Sequence, residues 1–86
     1  MTTELPDSPL SLLAGRPIAP EDAPAQSGVY MVINLRTGHC YFGESGNVRL
    51  RLKRHRYHLR LGCHANKALQ ASWNDYSESD FAFCTL

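Results

Sequence analysis

The sequence predicts a small α+β domain, an antiparallel β-hairpin plus a third strand with two helices, in the order β-β-α-α-β. Three observations carry that prediction. A β-branched and aromatic run, Val29 to Ile33, leads into the turn residues Arg36-Thr37-Gly38 and a second short run. Apolar residues then recur at helical spacing in two stretches, the first ending at Gly62 and the second near Tyr76. Finally Phe81, Phe83 and Thr85 alternate with Ala82, Cys84 and Leu86, the period of a strand.

Each element has a local reason. The first strand is expected from Gly28 to Asn34, and Gly38 can take the positive φ that a tight turn demands. The second, from His39 to Phe42, is expected to break at Gly43 to Gly46. Asn47 offers a capping oxygen to a helix reaching about Leu61, whose inward stripe is Val48, Leu52, His55 and Leu59. Gly62 is its natural stop. A second helix is expected from Asn66 to about Tyr76, with Leu69, Trp73 and Tyr76 facing inward.

Residues 1–27 form a leader containing all five prolines, expected to be flexible or draped over the domain. Leu10, Leu12 and Leu13 could form one helical turn there after Ser8. The domain proper is expected over 28–86. A core of that size buries only about 60% of the surface its unfolded chain exposes, so its stability should be marginal.

The net charge of +1 conceals a segregation. The leader sets Glu4, Asp7, Glu21 and Asp22 against Arg16, whereas from Gly28 onward eight basic residues face four acidic ones. Most of that excess is Arg49, Arg51, Lys53, Arg54, Arg56 and Arg60, accompanied by His55 and His58. Such a run is either a solvated helix face or the footprint of a surface that meets phosphate. On the helix, Arg51, Arg54, His55 and His58 stand at i, i+3, i+4 and i+7, along one edge.

Cys40, Cys63 and Cys84 are odd in number and far apart, which argues against a disulfide framework and fits a reducing cytoplasm. A zinc site from His55, His58, Cys63 and His64 is opposed by the six nearby cations. No stretch approaches the length of a membrane span.

Gly28-Val29-Tyr30, ten intervening residues, and Tyr41-Phe42-Gly43 resemble the two signature tripeptides of the GIY-YIG nuclease superfamily. The likeness continues in order through Asn47-Val48, Arg51, His55, Gly62-Cys63-His64, Leu69-Gln70, Trp73-Asn74, Phe81 and Phe83. It implies divalent-metal-dependent hydrolysis of DNA phosphodiester bonds, with Mg²⁺ or Mn²⁺ as the ion. It also implies that Tyr30 and Tyr41 orient or deprotonate the attacking water, that Arg51 stabilises the scissile phosphate, and that His55 polarises the nucleophile or a phosphate oxygen. Such hydrolysis needs an activated water and a cation beside the developing charge. An unperturbed phenol, with a pKa of about 10, is a poor base at neutral pH. Arg51, with its planar fork, suits a phosphate. Arg49, Lys53, Arg54, His64 and Lys67 are the candidates for contacts to the DNA backbone, His64 by its likeness to a functional histidine of homing-type members.

One departure follows from the same resemblance. The family's metal-ligand glutamate stands on a helix after the third strand, and this sequence reaches Leu86 at the end of that strand. The module is therefore expected to lack that helix, with no metal ligand identified in it. Glu44 is the acid nearest the motif, and Glu78 and Asp80 precede the last strand. Two outcomes are open: a metal-dependent endonuclease, or an impaired relative that binds nucleic acid or a protein. A homodimer or partner covering the terminal strand is the expected consequence of the missing helix.

Overall fold

The computed structural model describes residues 17–86, so the Leu10 to Leu13 patch lies outside the described residues. Strand β1 (Gly28–Asn34) and β2 (Cys40–Ser45) form the hairpin, helices α1 (Val48–Leu61) and α2 (Lys67–Asp75) follow, and β3 (Phe81–Thr85) closes the order. The sheet is antiparallel throughout and ordered β2-β1-β3, so β1 is central and β3 is an edge.

The local signals act as expected at most boundaries. Gly38 has φ 82° in the hairpin turn. The turn is held by buried Asn34, whose Oδ1 accepts from the backbone N–H of Arg36 and Thr37. Asn47 Oδ1 accepts from Leu50 N–H to cap α1, and Gly62 ends it in the left-handed region. Asn66 caps α2 in the same way through Leu69 N–H.

Two expectations need correction. Strand β2 does not break at Gly43 but runs to Ser45, because β1 supplies partners for every residue: Tyr30 pairs with Gly43, Val29 with Glu44 and Gly28 with Ser45. Tyr76 does not face inward; it caps α2 and is exposed, and Gln70 is buried beside Leu69 and Trp73 instead.

Both helices pack on one face of the sheet. There Tyr30 and Val32 of β1 and Phe81 and Phe83 of β3 meet Val48, Leu52, Leu59, Leu69 and Trp73. Burying a leucine of this kind stabilises the fold by about 1.5–3 kcal/mol, and Leu52, Leu59 and Leu69 are all nearly inaccessible. Trp73 tilts against Phe81 with ring centroids 5.0 Å apart, tying α2 to β3. Met31, Ile33, Ala82 and Cys84 form a separate apolar cluster from the opposite face.

The described part of the leader, residues 17–26, lies draped over the domain. Ile18 N–H donates to Phe83 O (2.8 Å) and Pro17 bridges Cys84, so the leader takes up the outer edge of β3. A 3₁₀ turn over Pro20–Asp22 then places Ala23 in the core. Pro24 O and Gln26 O accept from Arg49 and Val48 N–H at the first turn of α1. Those two amides would otherwise lack partners, which is why the chain is held here. Phe81 and Phe83 are buried, so the terminal strand does not offer the apolar surface expected of it.

Candidate active site

Tyr30 projects from the central strand toward α1 and is almost wholly buried. Its ring fits only because residue 43, its partner on β2, lacks a side chain: a Cβ there would lie 2.5 Å from Tyr30 Cζ. Seated this way, Tyr30 Oη lies 2.7 Å from Nε2 of His55, in the middle of α1. Tyr41 pairs with Val32 and so emerges on the same face as Tyr30, one step along the sheet, half-buried against the same core. The two tyrosines sit diagonally rather than directly across the hairpin.

Behind His55 stands His64, buried in the loop between the helices. Its Nε2 is 2.6 Å from His55 Nδ1, and the rings stack with centroids 4.9 Å apart. His64 Nδ1 accepts from the backbone N–H of Asn66 (2.9 Å). Gln70 pins the loop: its Oε1 accepts from His64 N–H (2.9 Å), and its Nε2 donates to Leu59 O (3.1 Å) and Asn74 Oδ1 (3.0 Å). The result is an unbroken chain from Tyr30 through His55 and His64 to the start of α2.

This chain is electrostatically inhospitable to an added proton. Burial, followed by the neighbouring His64, Arg51 and His58, pushes His55 from its ordinary 6.5 down to about 4. Burial, and next His58, also lowers His64. Both shifts favour the neutral imidazole.

A pocket of about 250 Å³ opens beside these rings, lined by Arg51, Arg54, His55, His58, His64 and Ala65. Its wall carries two guanidiniums and no carboxylate, the composition of an anion site. The basic run of α1 thus divides in two. Arg51 and Arg54 face the pocket, whereas the other edge is engaged elsewhere: Arg49 Nε donates to Ala23 O (2.7 Å), Arg56 pairs with Glu21 (2.7 Å), and Arg60 pairs with Glu78 (2.8 Å). Lys53 lies near Glu21 and helps lower that carboxyl, after Arg56. Lys67 opens α2, exposed and outside the pocket wall.

A hard divalent cation requires several oxygen donors. Glu44 alternates with Gly43 and so projects from the sheet face opposite Tyr30. Glu21, Glu78 and Asp80 are engaged with Arg56, Arg60, and Arg36 and Ser77 respectively. Among the described residues no group of three or more His, Cys, Asp or Glu is placed to hold a metal ion. The pocket's donor set, imidazoles and guanidiniums, does not fit Mg²⁺ or Mn²⁺. All three cysteines are free, and Cys63 is exposed.

Of the nine residues singled out by sequence, Tyr30, Arg51, Arg54, His55 and His64 come together, Tyr41 lies beside them, and Arg49, Lys53 and Lys67 stand apart. The sequence assigns no role at the site to Gln70 or to the Asn66 amide. Nothing local in the sequence says that a glutamine on α2 will turn toward the end of α1.

A β2-β1-β3 antiparallel sheet with two helices on one face, a tyrosine seated on a strand glycine and an arginine four residues before a histidine define a GIY-YIG catalytic domain. The family model of that description matches residues 26–84, and the chain belongs to the GIY-YIG family. The fold is similar to that of the catalytic domain of the homing endonuclease I-TevI, with a TM-score of 0.63 and 31% identity. That match covers 67% of this chain and spans 62% of the other. No functionally curated protein matches the chain. Among the described residues, no helix is long and apolar enough to cross a membrane.

Proposed function

We propose that this chain is an endonuclease module that hydrolyses DNA phosphodiester bonds, with the scissile phosphate received in the pocket beside His55. The observation that carries this reading is the juxtaposition of a buried tyrosine, Tyr30, hydrogen-bonded to half-buried His55, with a pocket walled by the guanidiniums of Arg51 and Arg54. Arg51 offers a bidentate fork to the phosphate, and Arg54 adds a second cation to a neighbouring backbone position. Tyr30 and Tyr41, on one sheet face, orient the attacking water, and Tyr30 is itself held by His55.

The family's chemistry employs a divalent cation, for which Mg²⁺ or Mn²⁺ is our expectation. A carboxylate from outside the described pocket is needed to hold it. The three free cysteines suit a reducing compartment such as the cytoplasm. A homodimer or protein partner on β3 finds little support, since the leader takes its edge and its phenylalanines are buried.

The decisive assay is nicking of supercoiled plasmid by the 86-residue chain in Mg²⁺ or Mn²⁺. Removing one preorganised donor to a transition-state charge typically lowers turnover by about 10²–10³. Arg51→Ala and Tyr30→Phe should therefore abolish detectable nicking. Wild type and Arg51→Ala, both folded and equally inert, would rule out unaided cleavage. The lack of a pocket carboxylate favours a second reading, a module that binds DNA without cutting it. Retained, salt-sensitive DNA affinity in the absence of nicking would establish that alternative.

A further inference from the structure

Hydrogen-bond donors and acceptors along the Tyr30–His55–His64 chain are not free to choose their direction. A backbone amide can only donate, so the Asn66 N–H requires a lone pair on His64 Nδ1. A neutral imidazole carries one N–H, which in His64 must then be on Nε2. That N–H faces His55 Nδ1 at 2.6 Å, where a second N–H would clash, so His55 Nδ1 accepts. The single proton of His55 is left on Nε2, 2.7 Å from Tyr30 Oη. The tyrosine oxygen therefore accepts, and its own proton points away from His55.

We propose that His64 is a positioning residue: held by the Asn66 amide, it fixes His55 as the Nε2–H tautomer and thereby makes Tyr30 the acceptor at the end of the chain. His55 is then not a base that removes the phenol's proton. It is a donor that stabilises negative charge on Tyr30 oxygen once the proton has left to the solvent or to a group approaching from the other side. Both imidazoles keep the one proton each has, and the only proton that moves is the phenol's, which leaves on the side away from His55. Gln70 maintains the geometry by gripping His64 N–H while bonded to Leu59 O at the end of α1. Of the other polar groups lining the pocket, Arg51 and Arg54 can only donate, and His58 is hydrogen-bonded to neither ring, so no competing acceptor is engaged with the chain.

The tautomers are a property of the free chain. Their use in turnover rests on the nuclease reading above, and the experiment separates the two. Long-range ¹H–¹⁵N correlation spectra of the uniformly ¹⁵N-labelled 86-residue chain at pH 7 should show Nε2 protonated and Nδ1 unprotonated in both His55 and His64. An Nδ1–H tautomer in either ring overturns the proposal, whether or not the chain cuts DNA. His64→Gln, whose amide nitrogen can occupy the place of Nε2, should keep His55 as Nε2–H, whereas His64→Leu should leave a mixture of tautomers. If nicking is observed, His64→Leu should lose at least tenfold in kcat with little change in KM, and His64→Gln should recover most of it. Equal kcat in folded His64→Leu and wild type would overturn the positioning role even with the tautomers as drawn.

Discussion

The ring of Tyr30 occupies the space that a side chain at Gly43 would need, so that the second tripeptide of the motif serves as the seat of the first one's tyrosine. The glycine is there for room and not for backbone freedom, since among the described residues the glycines with positive φ are Gly38 and Gly62. Gly43→Ala should therefore push Tyr30 away from His55. Overpacking of this kind costs about 1–3 kcal/mol. Urea unfolding followed by Trp73 fluorescence should show that loss, and the His55 ring resonances should move. A variant with wild-type stability and unchanged His55 resonances would show that the strand gives way more easily than the structure indicates.

The division of the basic helix yields a second expectation. Arg51→Ala and Arg54→Ala should each weaken DNA binding and reduce the slope of log K against log salt by about 1, as one phosphate contact is removed. Arg49→Ala should leave that slope nearly unchanged, because the guanidinium is bonded to Ala23 O. Its effect should appear instead in stability, by about 1 kcal/mol, the net worth of such a bond. Equal slopes for all three variants, from a binding titration over a salt series, would put Arg49 back on the DNA surface.

Much of the fold is legible in local residues. Asn34, Gly38, Asn47, Gly62 and Asn66 mark their own turns and caps, because each acts on backbone groups within a few positions. The leader is not legible in this way. Ile18 bonds to Phe83, and Ala23 packs under α1, through separations for which no periodicity or spacing gives a sign. The site divides along the same line. Arg51 and His55 share a helix edge and can be read from a count of residues, whereas His64 reaches His55 only because the chain turns at Gly62 and Gln70 holds the loop. Likewise the alternation of β2 puts Glu44 on the far face, but only once Gly43 is known to continue the strand.

Acid should destabilise the protein in a particular window. His55 has a folded pKa of about 4 against an ordinary 6.5, so the unfolded chain binds the extra proton first. Stability from the neutral ring is complete above about pH 6.5 and is lost as the pH falls through 4. Allowing for the ring's partial exposure, the loss is about 1–2 kcal/mol. His64 acts in the same direction, while the lowered carboxyls of Glu21, Glu78 and Asp80 withdraw their contribution only at still lower pH. Tm should therefore fall between pH 7 and pH 4.5, and His55→Gln should shrink that fall. A Tm that stays flat across this range would contradict a half-buried His55 held neutral.

The packed unit should extend N-terminally to about Pro17, well ahead of the motif. A chain beginning at Ser27 loses the carbonyls of Pro24 and Gln26 that receive Arg49 and Val48 N–H, and also the Ala23 O that receives the Arg49 side chain. It further loses buried Ala23, the packing of Ile18 and the Glu21–Arg56 pair. Opening the start of a helix costs about 1 kcal/mol, and burial of the two apolar side chains is worth about 2 kcal/mol more. For a domain this small, a loss of about 3 kcal/mol is a large share of the total. Urea titrations of the full chain and the shortened one, read at Trp73, should show a much lower midpoint for the latter. Coincident midpoints would mean that residues 17–26 rest on the domain without holding it together.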